Sequence, residues 1–191
     1  MPSLQRSKAV AILVGALVWN AFPPGVALAE DAATSVPCPV IRPHSLEELA
    51  QRSWPDLERL YRASSPGPVP VGYFRGLAIY CPEAKLAATR SKVSRLLWHG
   101  KHFSACDGTL VNQWCGFKAI RARVSCGESW LDGGPAIVMD YGGTSWVWAD
   151  VRDETREVAP GLYLGAMFLR RDPQPKFKMF FALECPTARG E

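Results

Sequence analysis

Beyond its first thirty residues the chain has no apolar run long enough to cross a bilayer, and before Glu30 it has no acidic residue. It has only three histidines, His44, His99 and His102, and no C-x-x-C pair to join them in a zinc site. A C-x-x-C-H haem attachment, a phosphate-cradling glycine loop and a G-x-S-x-G elbow are also missing. Ser145, in Gly143-Thr144-Ser145-Trp146, has no partner histidine in a recognisable pattern. There is no internal repeat and no low-complexity tract. These absences argue against zinc, haem and nucleotide chemistry and against a serine hydrolase, so no metal, cofactor or catalytic residue is expected.

What the N-terminus does contain is a secretory signal. Arg6 and Lys8 form a positive head, Ala9–Trp19 an apolar core, and Pro23-Pro24-Gly25 a break before Ala27-Leu28-Ala29. That small-x-small pattern is what signal peptidase reads. The core falls short of the roughly 20 residues a spanning helix needs. Residues 1–29 are therefore expected to be removed and the mature protein to be secreted or periplasmic. Arg6 and Lys8 are not a twin-arginine pair, and no cysteine follows the cut to take a lipid. The mature protein is expected to have no membrane span.

Cleavage after Ala29 leaves 162 of the 191 residues, and losing Arg6 and Lys8 lowers the net charge from +4 to +2. That size suits one domain with a real core. The charge is too small and too evenly spread to point to nucleic acid. All six cysteines lie beyond the cut, an even number in an oxidising compartment, so disulfides are expected. Six cysteines allow 15 pairings. The preferred set is Cys106–Cys115 across a hairpin, Cys38–Cys185 tying the ends, and Cys81–Cys126, with buried free thiols as the alternative. Oligomeric state is not legible.

Residues 30–66 read as an extended arm and two short helices. Ser45-Leu46-Glu47-Glu48 is a capping box, and Leu46, Leu49, Trp54, Leu57, Leu60 and Tyr61 recur at helical spacing. Pro55 marks the start of the second helix, and Pro66-Gly67-Pro68 ends the pair. From 67 to 191 the period becomes two. Strands are expected over 73–80, 101–106, 109–115, 120–126, 136–141, from Trp146 towards Val158, 162–170 and 176–184. Turns at Asp107-Gly108, Asp132-Gly133-Gly134, Gly142-Gly143 and Pro160-Gly161 separate them. Residues 83–97 break the pattern with a helix-compatible run. Seven or eight strands without covering helices predict a mainly β protein, an antiparallel barrel, with a half-open barrel or sandwich as the alternative.

Asp150–Glu157 is charged at six of eight positions within an apparent strand. Asp150, Arg152, Glu154 and Arg156 share one face, with Asp153 and Glu157 on the other. A solvated salt-bridge ladder is the plain reading. The sharper one puts an aspartate and an arginine inside the barrel to orient a ligand. Asp153 and Arg156 are an odd number apart, so both can face inward only across a bulge or turn. His99 and His102 read as exposed imidazoles on a turn.

Gly72-Tyr73-Phe74-Arg75-Gly76 and Trp98-His99-Gly100-Lys101-His102-Phe103, followed by Pro135–Tyr141, Asp153–Arg156, Leu164–Met167 and Phe181–Glu184, resemble the GXWXG family of small bacterial proteins. Phe74 stands where that family has tryptophan. The resemblance covers about residues 70–185 and implies a calycin- or lipocalin-like β-barrel. The partner implied is a small apolar or amphiphilic molecule. Its expected site is Tyr73, Trp98, Trp148, Tyr163 and Phe181, with Asp153 and Arg156 at the polar end. The alternatives are a barrel enzyme using Asp153 or a histidine as proton carrier, and a packed structural or interaction module. A cavity of several hundred Å³ would separate the first reading from the last.

Overall fold

The computed structural model describes residues 43–81, 93–94 and 96–186. The signal segment 1–29, the arm up to residue 42, Cys38 and most of the helix-compatible run 83–92 lie outside the described residues.

Two short helices come first. α1 (Leu46–Ala50) is capped by Ser45, whose hydroxyl accepts from the Glu48 amide at 3.1 Å. The Glu48 carboxylate reaches one residue further back than a capping box does, accepting from the His44 amide at 2.8 Å rather than from the Ser45 amide. α2 (Trp54–Arg62) starts on Ser53, with Pro55 in its first turn, where a missing N–H costs nothing. Leu46, Leu49, Leu57, Leu60 and Tyr61 are fully buried. Each removes apolar surface worth about 1.5–3 kcal/mol from water.

Eight strands follow: β1 (Gly72–Ile79), β2 (Trp98–Phe103), β3 (Thr109–Trp114), β4 (Phe117–Glu128), β5 (Pro135–Asp140), β6 (Val151–Ala159), β7 (Leu162–Leu169) and β8 (Lys176–Glu184). Each pairs antiparallel with the next, and β1 pairs with β8, closing the barrel. The fold is thus mainly β, a closed eight-stranded antiparallel barrel preceded by short helices. The strand expected from Trp146 begins only at Val151. Residues 146–150 belong to the β5–β6 loop, where Ser145 Oγ accepts from the Trp148 amide.

Side-chain alternation makes two cores. Phe74, Leu110, Ala122, Ile137, Tyr163 and Leu183 are among those filling the barrel interior. On the outside, α1 and α2 lie over β1, β6, β7 and β8, burying Leu77, Ile79, Leu164, Phe168 and Phe180. Among the described residues no helix is long and apolar enough to cross a membrane.

The helices and the β4–β5 loop also cover the charged strand. The ladder expected to be solvated is largely buried: Glu154 is 0% and Arg156 2% exposed. Glu154 accepts from Ser129 Oγ at 2.6 Å and from the Trp130 amide at 2.9 Å. Burial pushes its pKa up, against those donors and the neighbouring Arg152 and Arg156.

The cysteine pairings need correction. No disulfide joins two described residues, and Cys81, Cys106, Cys115 and Cys126 are free thiols. Cys106 lies in the β2–β3 turn and Cys115 in the β3–β4 turn, at opposite ends of β3. A six-residue strand spans about 20 Å, whereas bridged Cα atoms lie within about 7 Å. Cys81 and Cys126 are likewise divided between the two ends, one after the close of β1 and the other near the far end of β4.

Candidate functional site

The Trp98–Phe103 motif owes its function to a bulge. Register shifts between Trp98 and Gly100, so Trp98 and Lys101, three residues apart, both enter the interior. Gly100 allows this with φ +140°; a Cβ there would sit 2.0 Å from the Phe74 carbonyl oxygen. Gly76 clears the space above it, since its Cβ would fall 2.6 Å from the Trp98 ring. A second bulge on the β3–β4 pair carries Ile120 at φ 63°. Asn112 Nδ2 holds it by donating to the Ile120 carbonyl at 3.0 Å.

Lys101 is 1% exposed and uses all three ammonium protons. It donates to Asn112 Oδ1 at 3.0 Å, Tyr141 Oη at 2.6 Å and Asp153 Oδ2 at 2.9 Å. Tyr141 in turn donates to Asp153 Oδ2 at 3.0 Å and accepts from Asn112 Nδ2 at 3.0 Å. Trp98 Nε1 completes the network on Asn112 Oδ1 at 3.1 Å. The Lys101 nitrogen also stands 5.4–5.5 Å from the ring centres of Trp98, Tyr141 and Phe181. Phe181 reaches this position because Gly165 has no side chain to block its ring.

Burial pulls the Lys101 pKa down, and the Asp153 charge and hydrogen bond oppose it. Burial, reinforced by Asp153, drives the Tyr141 phenol well above its ordinary value. Lys101 and Asp153 share one network, and their combined charge is zero wherever the proton rests.

This network forms the floor of a cavity at the barrel end that carries the β1–β2, β3–β4, β5–β6 and β7–β8 connections. Trp114, Trp148, Met167, Met179 and Phe181 supply apolar walls, with Tyr80 and Ser94 among the remaining lining. The cavity volume is about 40 Å³, well under the roughly 150 Å³ of a cavity known to take one benzene ring. It is smaller than the several hundred Å³ typical of a drug-sized site. Trp114 and Trp148 are 6% and 8% exposed, their rings 5.7 Å apart, and neither indole N–H has a hydrogen-bond partner among the described residues.

Of the residues anticipated from sequence, Trp98, Trp148, Asp153 and Phe181 line this cavity. Tyr163 also points inward but packs edge-on against Phe74, its hydroxyl donating to the Pro68 carbonyl at the other end of the barrel. Tyr73 stands outside, stacked on His102 and donating to the His99 carbonyl. Arg156 is also outside: β6 pairs regularly from Val151 to Glu157, so it faces away from Asp153. There it makes a bidentate bridge to Asp132 at 2.7 and 2.8 Å, donates to the Tyr61 and Pro135 carbonyls, and lies over the Tyr61 ring. His102 meets Gln113, and among the described residues no three His, Cys, Asp or Glu side chains gather as a metal site would need.

Lys101, Asn112, Tyr141 and Trp114 were missed. A lysine two residues before an inward phenylalanine is a usable signal, but only once Gly100 is read as a bulge.

No protein-family model and no curated protein matches the chain. Among solved structures, a crystal structure of a protein from Thermomonospora curvata is similar, at 19% identity, over 70% of this chain and 87% of that one, with a TM-score of 0.47.

Proposed function

We propose that this is an exported barrel that binds a small apolar or amphiphilic molecule in the cavity floored by Lys101 and Asp153. The observation that carries the reading is the combination of an aromatic-walled cavity with a few convergent polar groups, the usual form of a small-molecule site. Its small volume, about 40 Å³, favours the narrow end of a longer molecule over a whole drug-sized one. The Gly72–Gly76 and Trp98–Phe103 motifs support kinship with the GXWXG barrels. Here those motifs serve the cavity, since Gly76 and Gly100 seat Trp98 and Lys101. The signal-like N-terminus supports export.

A second reading has one observation in its favour. Lys101, its pKa lowered by burial, touches both Tyr141 and Asp153. Such contacts between titrating groups are the raw material of proton transfer.

Native mass spectrometry of protein purified from its own host tests both export and binding. The expected result is a chain beginning at Glu30 that carries a non-covalent small molecule. A retained Met1 overturns export. A chain with no added mass, and no thermal shift with any small compound, overturns binding.

A further inference from the structure

Resting on the binding reading, we infer that the occupant presents to the cavity an uncharged end with a carbonyl-type acceptor, held by the indole N–H groups of Trp114 and Trp148. Charge comes first. Among the described residues, Lys101 and Asp153 are the only acid–base ion pair in the lining, and they neutralise each other. Every Lys101 proton is already engaged by Asn112, Tyr141 or Asp153. A carboxylate entering this space would find no unpaired cation among the described lining residues, and unpaired buried charge is costly. The floor therefore selects against anions despite its buried lysine.

Hydrogen bonding then fixes polarity. Trp114 and Trp148 are each more than nine-tenths buried, line the same cavity and keep an N–H donor unpartnered among the described residues. Indole nitrogen donates and cannot accept. Buried donors of this kind are nearly always satisfied, and an unsatisfied one costs free energy. A carbonyl oxygen, with two lone pairs, is the acceptor that either indole lacks. A pure hydrocarbon of equal shape would fill the walls but leave both donors without a partner. Met167, Met179 and Phe181 contact the apolar body of the molecule.

The test compares three small probes on the purified full chain. Cyclohexanone has the acceptor, methylenecyclohexane replaces its oxygen by CH₂ at nearly the same shape, and benzoate adds a negative charge. Affinities come from calorimetry, and indole N–H signals from ¹H–¹⁵N NMR. Cyclohexanone is expected to bind about tenfold more tightly than methylenecyclohexane, the scale of a buried hydrogen bond, with benzoate weakest. The Trp114 and Trp148 indole signals should be the ones that move most. Trp148→Phe keeps a ring and removes the donor. It should shrink the ratio of ketone to hydrocarbon affinity, whatever the wall change does to both affinities together, and Trp114→Phe is the second such variant. Equal affinities of ketone and hydrocarbon, or tightest binding by benzoate, overturn the acceptor assignment and leave the binding reading standing. No binding by any of the three, with no indole signal moving, overturns both.

Discussion

Lys101 and Asp153 sit on β2 and β6, strands that share no ladder, and their side chains meet across the barrel axis at 2.9 Å. Backbone hydrogen bonds hold each strand only to its neighbours. This bridge joins opposite walls.

Truncating Lys101 to Met strands the Asp153 carboxylate, the Tyr141 hydroxyl and Asn112 together in a buried space. Removing one partner of such a pair costs about 3–5 kcal/mol. The double variant Lys101→Met/Asp153→Leu should recover at least half of that loss, because no unpaired charge remains. Urea unfolding of the two single variants and the double completes the cycle. Single variants within 1 kcal/mol of wild type would contradict a buried, coupled pair.

Arg156 faces the other way and serves the fold. Arg156→Ala should destabilise by about 3 kcal/mol, since Asp132 and two carbonyls lose their donor at a nearly buried position. Arg156→Lys should recover less than half, because an ammonium can neither fork onto Asp132 nor stack on Tyr61. Cyclohexanone affinity, measured well below the midpoint of unfolding, should match wild type in both. A loss of affinity without a loss of stability would place Arg156 in the site instead.

Gly100→Ala and Gly116→Ala make a matched pair. Both glycines have left-handed φ, +140° and +82°, but only at Gly100 would the added carbon meet the Phe74 carbonyl. Gly116→Ala should cost about 1–2 kcal/mol for its backbone alone. Gly100→Ala should cost distinctly more and move the Trp98 indole signal. Similar losses at the two positions would mean that the close approach of β1 and β2 is not tight.

Lys178 has a pKa lowered to about 8, first by burial and then by the charges of Lys176 and Arg171. Its folded value lies below the unfolded one, so between about pH 8 and 10.5 the unfolded chain holds the extra proton. Over that window this group makes the fold more stable as pH rises. NMR titration of methylated lysines should find one midpoint near 8. If all titrate near 10.5, Lys178 is better solvated than its surroundings suggest.

The strand count was legible because turn dipeptides such as Asp107-Gly108 and Pro160-Gly161 punctuate a clean two-residue alternation. The helix cap at Ser45 was legible too, since it acts over four residues. The interior was only half legible. Trp98, Trp148, Asp153 and Phe181 follow from apolar type or unexpected charge. Lys101 and Asn112 do not: Lys101 joins Trp98 inside only across the Gly100 bulge, and Asn112, though it alternates with Leu110 and Trp114, is a polar residue whose buried partners come from other strands. Arg156 looked like a site residue because charge within a strand is rare. The helices and loop that cover it come from sequence up to about 95 residues earlier, and no local pattern predicts them. The Cys106–Cys115 and Cys81–Cys126 pairs failed for a similar reason. Nearness along a hairpin says nothing when a whole strand separates the two turns.

The ladder between β1 and β8 has a consequence for how the protein comes into being. The first strand made must wait for the last. Until Lys176–Glu184 has left the ribosome, β1 and β7 are both bare edges, and bare edges pair with whatever strand they meet. The barrel therefore cannot finish forming behind the growing chain. A product truncated before β8 would be released with two open seams.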